Sequence, residues 1–197
     1  MSPAPIVLAS ASPRRREILE SLGIEVEVRP TYADEGSVEV EDDDAYVEQI
    51  ALLKLRHALE SGLDEGRHVV AADTIVCLPG ERLGKPADDG DALSMLTKLA
   101  GRMHVVRTSV ALGQVGEGAL GLRTVVTHVW FRKASEDELR RYVALGECRD
   151  KAGAYGIQGA AGGFVRKIEG SYSSVVGLPS AETVELLVEC GALEHWP

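Results

Sequence analysis

Nowhere in the 197 residues is there an apolar run of the ~18–20 uncharged positions that a membrane-spanning helix needs. The segment Met1 to Pro5 also lacks the basic and apolar stretches of a secretory leader. A cytoplasmic protein with no membrane partner is the expectation. Cysteine is scarce: Cys77, Cys148 and Cys190 are an odd number at wide spacing. They build neither a disulfide framework nor a Cys-x-x-Cys metal site, and read as reduced, packed thiols. The histidines His57, His68, His104, His128 and His195 are scattered without a His-x-x-x-His pair, so zinc-type ligation is unsupported. Positive charge is in deficit, 21 Lys+Arg against 31 Asp+Glu for a formal net charge of −10. That balance argues against a protein that grips long stretches of nucleic acid by counterion release, while a small anionic ligand stays open. The Walker phosphate-loop spacing is absent, as is any Ser-His or Cys-His nucleophilic arrangement and any internal repeat.

What is present is 45% hydrophobic residues, enough to exclude disorder and to expect one globular domain or two tightly joined lobes. Ile6 to Ala9 reads as a short strand, and Ser12-Pro13 starts a helix that Gly23 ends. Glu25 to Arg29 alternates as a half-buried strand stopped by Pro30, and Tyr32 to Asp44 is an acidic loop without Lys or Arg. A helix runs from about Ala45 to Ser61, a nearly continuous apolar strand from His68 to Leu78, and an Asp-capped helix from Asp88 to Ala100. Met103 to Leu112 and Leu122 to Phe131 form a hairpin around Gly113 to Gly121, and Ser135-x-x-Glu138 is a capping box opening a helix that ends near Gly146. Phe164 to Ile168 and Ser173 to Val176 read as short strands, and Ser180 caps a last amphipathic helix through Cys190. Helices and strands interleave but a hairpin breaks the alternation, so the fold class is α/β with a mixed twisted sheet and flanking helices.

Four segments carry chemistry. Ser10-Ala11-Ser12-Pro13-Arg14-Arg15-Arg16 sets two hydroxyls and three guanidiniums at a helix start, where cations oppose the dipole unless an anion sits there. The alternative is a solvated basic turn paired with the acidic loop. Asp73 and Thr74 interrupt an otherwise apolar strand, and a buried carboxylate needs a metal, a Lys or a reacting water as partner. Lys54 shares a helix face with Val47, Ile50 and Ala58, so it either meets such a carboxylate or snorkels along the core to water. Gly84-Lys85-Pro86 presents a cation from a stiff backbone. Asp150 to Gly159 combines a Lys, a Tyr and a Gln between glycines, a composition suited to stacking on and hydrogen-bonding a nucleobase, or simply to a loop with a buried Tyr. Seven of the 21 glycines fall between Gly153 and Gly177. Asp34 and Glu35, with Asp73, could hold Mg²⁺ together with substrate phosphates; the rest of the acidic run, Glu39 to Asp44, reads as a solvated face.

Taken in order, Leu8-Ala9-Ser10-Ala11-Ser12-Pro13-Arg14-Arg15, Ala72-Asp73-Thr74, Gly84-Lys85-Pro86, Asp150-Lys151-Ala152-Gly153-Ala154-Tyr155-Gly156-Ile157-Gln158-Gly159 and Gly177-Leu178-Pro179 resemble the motifs of the Maf family of nucleoside triphosphate pyrophosphatases, over nearly the whole of residues 1–197. The resemblance implies a single Maf-like domain of two lobes around a central cleft, with a fold similar to that of the ITP pyrophosphatases. It implies cleavage of a triphosphate between its α and β phosphates with a divalent metal, Mg or Mn, and a homodimer. Carried over by motif, Asp73 is the proton acceptor for the attacking water, Arg14, Thr74 and Gln158 set base preference, and Ser10, Arg15, Lys54 and Lys85 complete the phosphate site. Glu35 and Asp73 are the implied metal ligands. Tyr-Gly-Ile-Gln resembles the branch acting on dTTP and UTP; the 7-methyl-GTP branch carries a Phe-Lys-Ser-Glu type sequence there, and that branch, or a nucleotide-binding regulator of cell division with little turnover, is the alternative. Cys148 stands where the family usually has Pro, and Leu53 and Leu55 flank Lys54 where polar or small residues are common.

Overall fold

A computed structural model describes residues 4–197; residues 1–3, part of the segment read for a leader, lie outside the described residues. In chain order the elements are β1 (Ile6–Leu8), α1 (Pro13–Ser21), β2 (Val26–Val28), α2 (Asp43–Leu59), β3 (His68–Leu78), β4 (Glu81–Leu83), α3 (Asp89–Leu99), β5 (Met103–Gln114), β6 (Gly118–Phe131), α4 (Glu136–Ala144), β7 (Val165–Glu169), α5 (Tyr172–Val176) and α6 (Ser180–Glu189). Among the described residues the strands form one sheet in the order β2-β1-β3-β5-β6-β7, with β4 added to β3. The sheet is mixed. β1 runs parallel to β2 and β3, while β3–β4 and β6–β7 are antiparallel. β5 returns into β6 through residues 115–117, too short a link for anything but a hairpin. No helix of the described residues is long and apolar enough to cross a membrane.

Two compact units divide the chain, the boundary falling within β3, β5 and β6. The first holds the residues up to Asp73, Thr108–Val125 and Gly177–Pro197. Its core follows directly from the period of two along strands. Ile6, Leu8, Val70, Ala72, Val110 and Leu112 pack with Leu19 of α1 and with Val184, Leu186 and Leu187 of α6. The alternate residues Val7, Ala9, Val69, Ala71 and Ala111 pack with Ala51, Leu55 and Ala58 of α2. Leu55 is therefore a core residue, and parity along β3 sets Asp73 on the face that Val69 and Ala71 give to α2.

The second unit, Thr74–Arg107 with Val126–Val176, carries β4, β7, α3, α4 and α5. α3 is capped by Asp88, whose side chain accepts from the Asp91 amide at 2.8 Å, and α4 by the Ser135/Glu138 capping box, both as the sequence indicates. Ser173 to Val176 is not a strand. Ser171 Oγ accepts from the Ser174 amide at 3.2 Å and the Val175 amide turns back to the Ser171 carbonyl, so a hydroxyl cap starts a helical turn and overrides the β preference of two valines. The capping position of α6 is Pro179, which offers no side-chain cap, and Ser180 is already helical. Glu81–Leu83 adds a short strand antiparallel to β3, too brief for its pattern to announce it in the sequence.

Candidate active site

In the first unit, the residues singled out from sequence converge. Lys54 leaves α2 between buried Ile50 and Ala58 and places its ammonium 2.7 Å from Asp73 Oδ1 and 2.9 Å from Glu35 Oε1. The Lys54 and Asp73 side chains are 14% and 12% exposed, so the ion pair is largely removed from water and Lys54 does not snorkel out. Glu35 reaches the same ammonium from a short 3₁₀ turn, Glu35–Ser37, whose preceding Asp34 caps the Gly36 amide. Asp34 is thereby occupied in shaping the loop, and Glu35 is the acidic-loop residue that arrives at Asp73's partner.

Beside this triad, α1 begins with Pro13 in its first turn, without a side-chain cap and without an acidic residue there. Ser12 holds the cap position but does not cap; its own amide donates to Ser10 Oγ at 3.2 Å. Ser10 is buried and also accepts from Arg15 Nη1 at 3.1 Å. Arg15 Nε donates to the Gly177 carbonyl at 2.8 Å, which explains what Gly177-Leu178-Pro179 contributes: a backbone acceptor that fixes the guanidinium. Burial lowers the Arg15 pKa, Asp73 counters this, Arg14 adds to the lowering and Glu35 opposes it. A half-buried arginine next to a second arginine and at a positive helix end is an environment that favours an anion.

In the second unit, two of the other motif residues, Lys85 and Gln158, are placed on loops and Thr74 on β3. Thr74, half-buried, follows Asp73 along β3, and Lys85 and Gln158 are exposed. Their two loops are tied together by a bond from the Gly153 amide to the Gly84 carbonyl at 3.0 Å. Tyr155 does not offer its ring for stacking on a base. It is buried, its hydroxyl lies 2.8 Å from His104 Nε2, and Phe131 packs edge-on against both rings. Lys151 is likewise spent within the loop, bonded to the Glu147 carbonyl and to Asp150. Sequence reasoning missed His104, although its position alternates with buried Val106 and Thr108 along β5.

Burial depresses the His104 pKa from 6.5 to about 4. The native ring therefore stays neutral where the unfolded ring takes up a proton. The stability it contributes is full above about pH 6.5 and falls as pH drops toward 4, by on the order of 3 kcal/mol in all. Melting midpoints followed from pH 6.5 to 5 are expected to fall in the wild type and to flatten in His104→Phe; equal slopes would contradict the assignment.

Comparison with known proteins decides the family. The model of the Maf-like protein family matches residues 5–190. The chain belongs to the Maf family. Among curated relatives, a dTTP/UTP pyrophosphatase from Desulfotalea psychrophila is 49% identical over 184 residues, 93% of each chain. One of the same name from Chromobacterium violaceum is 50% identical over 190 residues, 94% of each chain. A third, from Geobacter sp. strain M21, is 48% identical over 193 residues, 98% of this chain and 99% of its own. Among solved structures, a nucleoside-triphosphatase / dITP/XTP pyrophosphatase from Mycobacterium abscessus aligns with 65% of this chain and 73% of its own, at 21% identity and a TM-score of 0.39, a likeness too loose to carry an argument.

Proposed function

We propose that this Maf-family chain is a nucleoside triphosphate pyrophosphatase that hydrolyses dTTP and UTP, and modified pyrimidine nucleotides, to the monophosphate and pyrophosphate. The observation that carries the reading is the buried Lys54–Asp73 pair at 2.7 Å, with Glu35 on the same ammonium and the Arg15 guanidinium close by. It is a carboxylate in fixed orientation among cations. Relatives at 48–50% identity over nearly their full length, each named a dTTP/UTP pyrophosphatase, supply the substrate class.

In this reading Arg14, Arg15, Lys54 and Lys85 gather the triphosphate, with Ser10 and the open first turn of α1 as further donors. Lys54 holds Asp73 Oδ1, and the other carboxylate oxygen takes a proton from water as the water oxygen bonds to the α phosphorus. The bond from that phosphorus to its bridging oxygen breaks, and the electron pair leaves with pyrophosphate. No protein nucleophile is required. Among the described residues no group of three His, Cys, Asp or Glu is arranged to hold a metal ion. A pair of carboxylates does fit a cation that arrives with phosphate, since Mg²⁺ is usually held by one or two carboxylates plus substrate oxygens. Glu35 and Asp73 would hold Mg²⁺ or Mn²⁺, which would neutralise charge on the leaving pyrophosphate. Thr74 and Gln158, together with Arg14, are assigned to the base. A cytoplasmic homodimer acting on free nucleotide, with no nucleic-acid or membrane partner, completes the proposal.

The test is pyrophosphate release from dTTP, UTP, CTP, ITP and 7-methyl-GTP with Mg²⁺ or Mn²⁺. Turnover of dTTP and UTP above the others is expected. Release confined to 7-methyl-GTP would keep the reaction and overturn the base assignment, and tight binding without release would make the protein a nucleotide-binding regulator. Gln158→Glu is expected to lower kcat/KM for dTTP by about 10–100-fold relative to its effect on a base richer in donors, because a carboxylate cannot donate as the amide does. An equal loss on every nucleotide would remove Gln158 from base reading.

A further inference from the structure

His104 is a buried polar group for which the reaction above has no use. It is 1% exposed, its Nε2 lies 2.8 Å from the Tyr155 hydroxyl, and the two rings meet edge to face at 5.4 Å and 82°. Phe131 packs edge-on at 4.9 Å from each ring. The other ring nitrogen, Nδ1, is buried with no hydrogen-bond partner among the described residues. Leaving a buried ring nitrogen unpaired destabilises a fold relative to an apolar ring of the same shape, so packing does not account for a histidine here. What the imidazole adds is a directional bond to Tyr155.

Tyr155 lies at the end of a strained turn. Gly153 has φ +67 and Ala154, a residue with a side chain, has φ +58, before the backbone returns to an extended conformation at Tyr155. A left-handed alanine persists only where the chain on both sides is held. On one side the Gly153 amide bonds the Gly84 carbonyl, adjacent to Lys85. On the other, His104 holds Tyr155, and Gln158 follows three residues later on an exposed loop. A Cβ at Gly153 would stand 3.0 Å from Val76 Cγ1, so this turn has little room to relax.

We propose that His104 is a positioning residue for base selection: through its hydrogen bond to Tyr155 it fixes the strained turn that sets the direction of Gln158 and, through Gly153 and Gly84, the backbone that presents Lys85. The inference rests on the reading of Gln158 as the group that meets the pyrimidine.

Tyr155→Phe removes the hydroxyl and keeps the ring, and His104→Phe removes the ring nitrogen that meets it and keeps the edge-to-face packing. Assayed well below its melting midpoint, each is expected to raise KM for dTTP and UTP about tenfold, change kcat by less than about threefold, and narrow the preference for dTTP over CTP. The double variant should be no worse than either single one, since both remove the same bond. His104→Gln, whose amide can still reach the hydroxyl, should recover most of the KM. A lowered melting midpoint with unchanged KM and base preference would show a merely structural role and overturn the proposal, as would a loss confined to kcat. Calorimetric binding of α,β-imido dTTP and α,β-imido CTP separates this from failure of the pyrophosphatase reading. If the wild type binds the thymidine analogue more tightly yet turns over neither parent nucleotide, the reaction fails while a Kd ratio narrowed in His104→Phe upholds the positioning role. Equal Kd values in the wild type overturn it.

Discussion

Asp73→Asn is expected to lower pyrophosphate release from dTTP by ~10²–10⁴-fold, the range a positioned general base contributes. The amide keeps the shape of the carboxylate and can still accept from the Lys54 ammonium, but it cannot take the proton of an attacking water. Stability should change little, because Lys54 retains Glu35 Oε1 at 2.9 Å and is not left as a lone buried charge. Binding of the triphosphate should persist, since Arg14, Arg15 and Lys85 are untouched and one negative charge is gone from the site. The discriminating measurement is single-turnover hydrolysis beside calorimetric binding of the imido analogue. Binding preserved with turnover lost is the expected pair of results. Turnover within threefold of the wild type would remove Asp73 from proton transfer, and loss of binding together with turnover would make it a group that organises the site.

How much of this was legible in the sequence depends on how local each interaction is. The period of two along His68 to Leu78 places Asp73 on the side of Val69 and Ala71, and the three- and four-residue spacing of Val47, Ile50, Lys54 and Ala58 places Lys54 on a buried face. That the two meet is the consequence of α2 packing on that side of the sheet, which neither pattern states alone. The caps at Asp88 and Ser135 could be read because a cap acts within one turn. Ser173 to Val176 misled because two valines carry β preference while the deciding hydroxyl, Ser171, lies outside the segment. Contacts that span the chain leave no such trace. Arg15 is held by the Gly177 carbonyl 162 positions away, and Tyr155 by His104 across 51, so neither the fixing of the guanidinium nor the withdrawal of the tyrosine ring from base stacking follows from spacing. The loop composition suits a nucleobase, but the fold leaves Gln158 exposed to meet one and buries Tyr155 against His104, where its ring cannot stack on a base.

Lys54→Met tests whether the buried cation holds the site together. Methionine fills the space of the lysine stem but leaves Asp73, a buried residue, and Glu35 without the ammonium they share. Breaking a buried pair from one side is costly because the remaining charge has lost its counterion, and a destabilisation on the order of 3 kcal/mol is expected, together with loss of turnover by at least about 10²-fold. Two effects are then mixed in one variant. Combining it with Asp73→Asn separates them: the neutral amide no longer needs the ammonium, so the double variant should regain most of the lost stability while remaining inactive. Denaturant unfolding of the wild type, the two single variants and the double variant closes the cycle. A strong coupling between positions 54 and 73, with the double variant more stable than Lys54→Met alone, is the expected outcome. Additive losses would mean that the 2.7 Å contact contributes nothing to the fold, and that Lys54 matters only for the charge it offers the triphosphate.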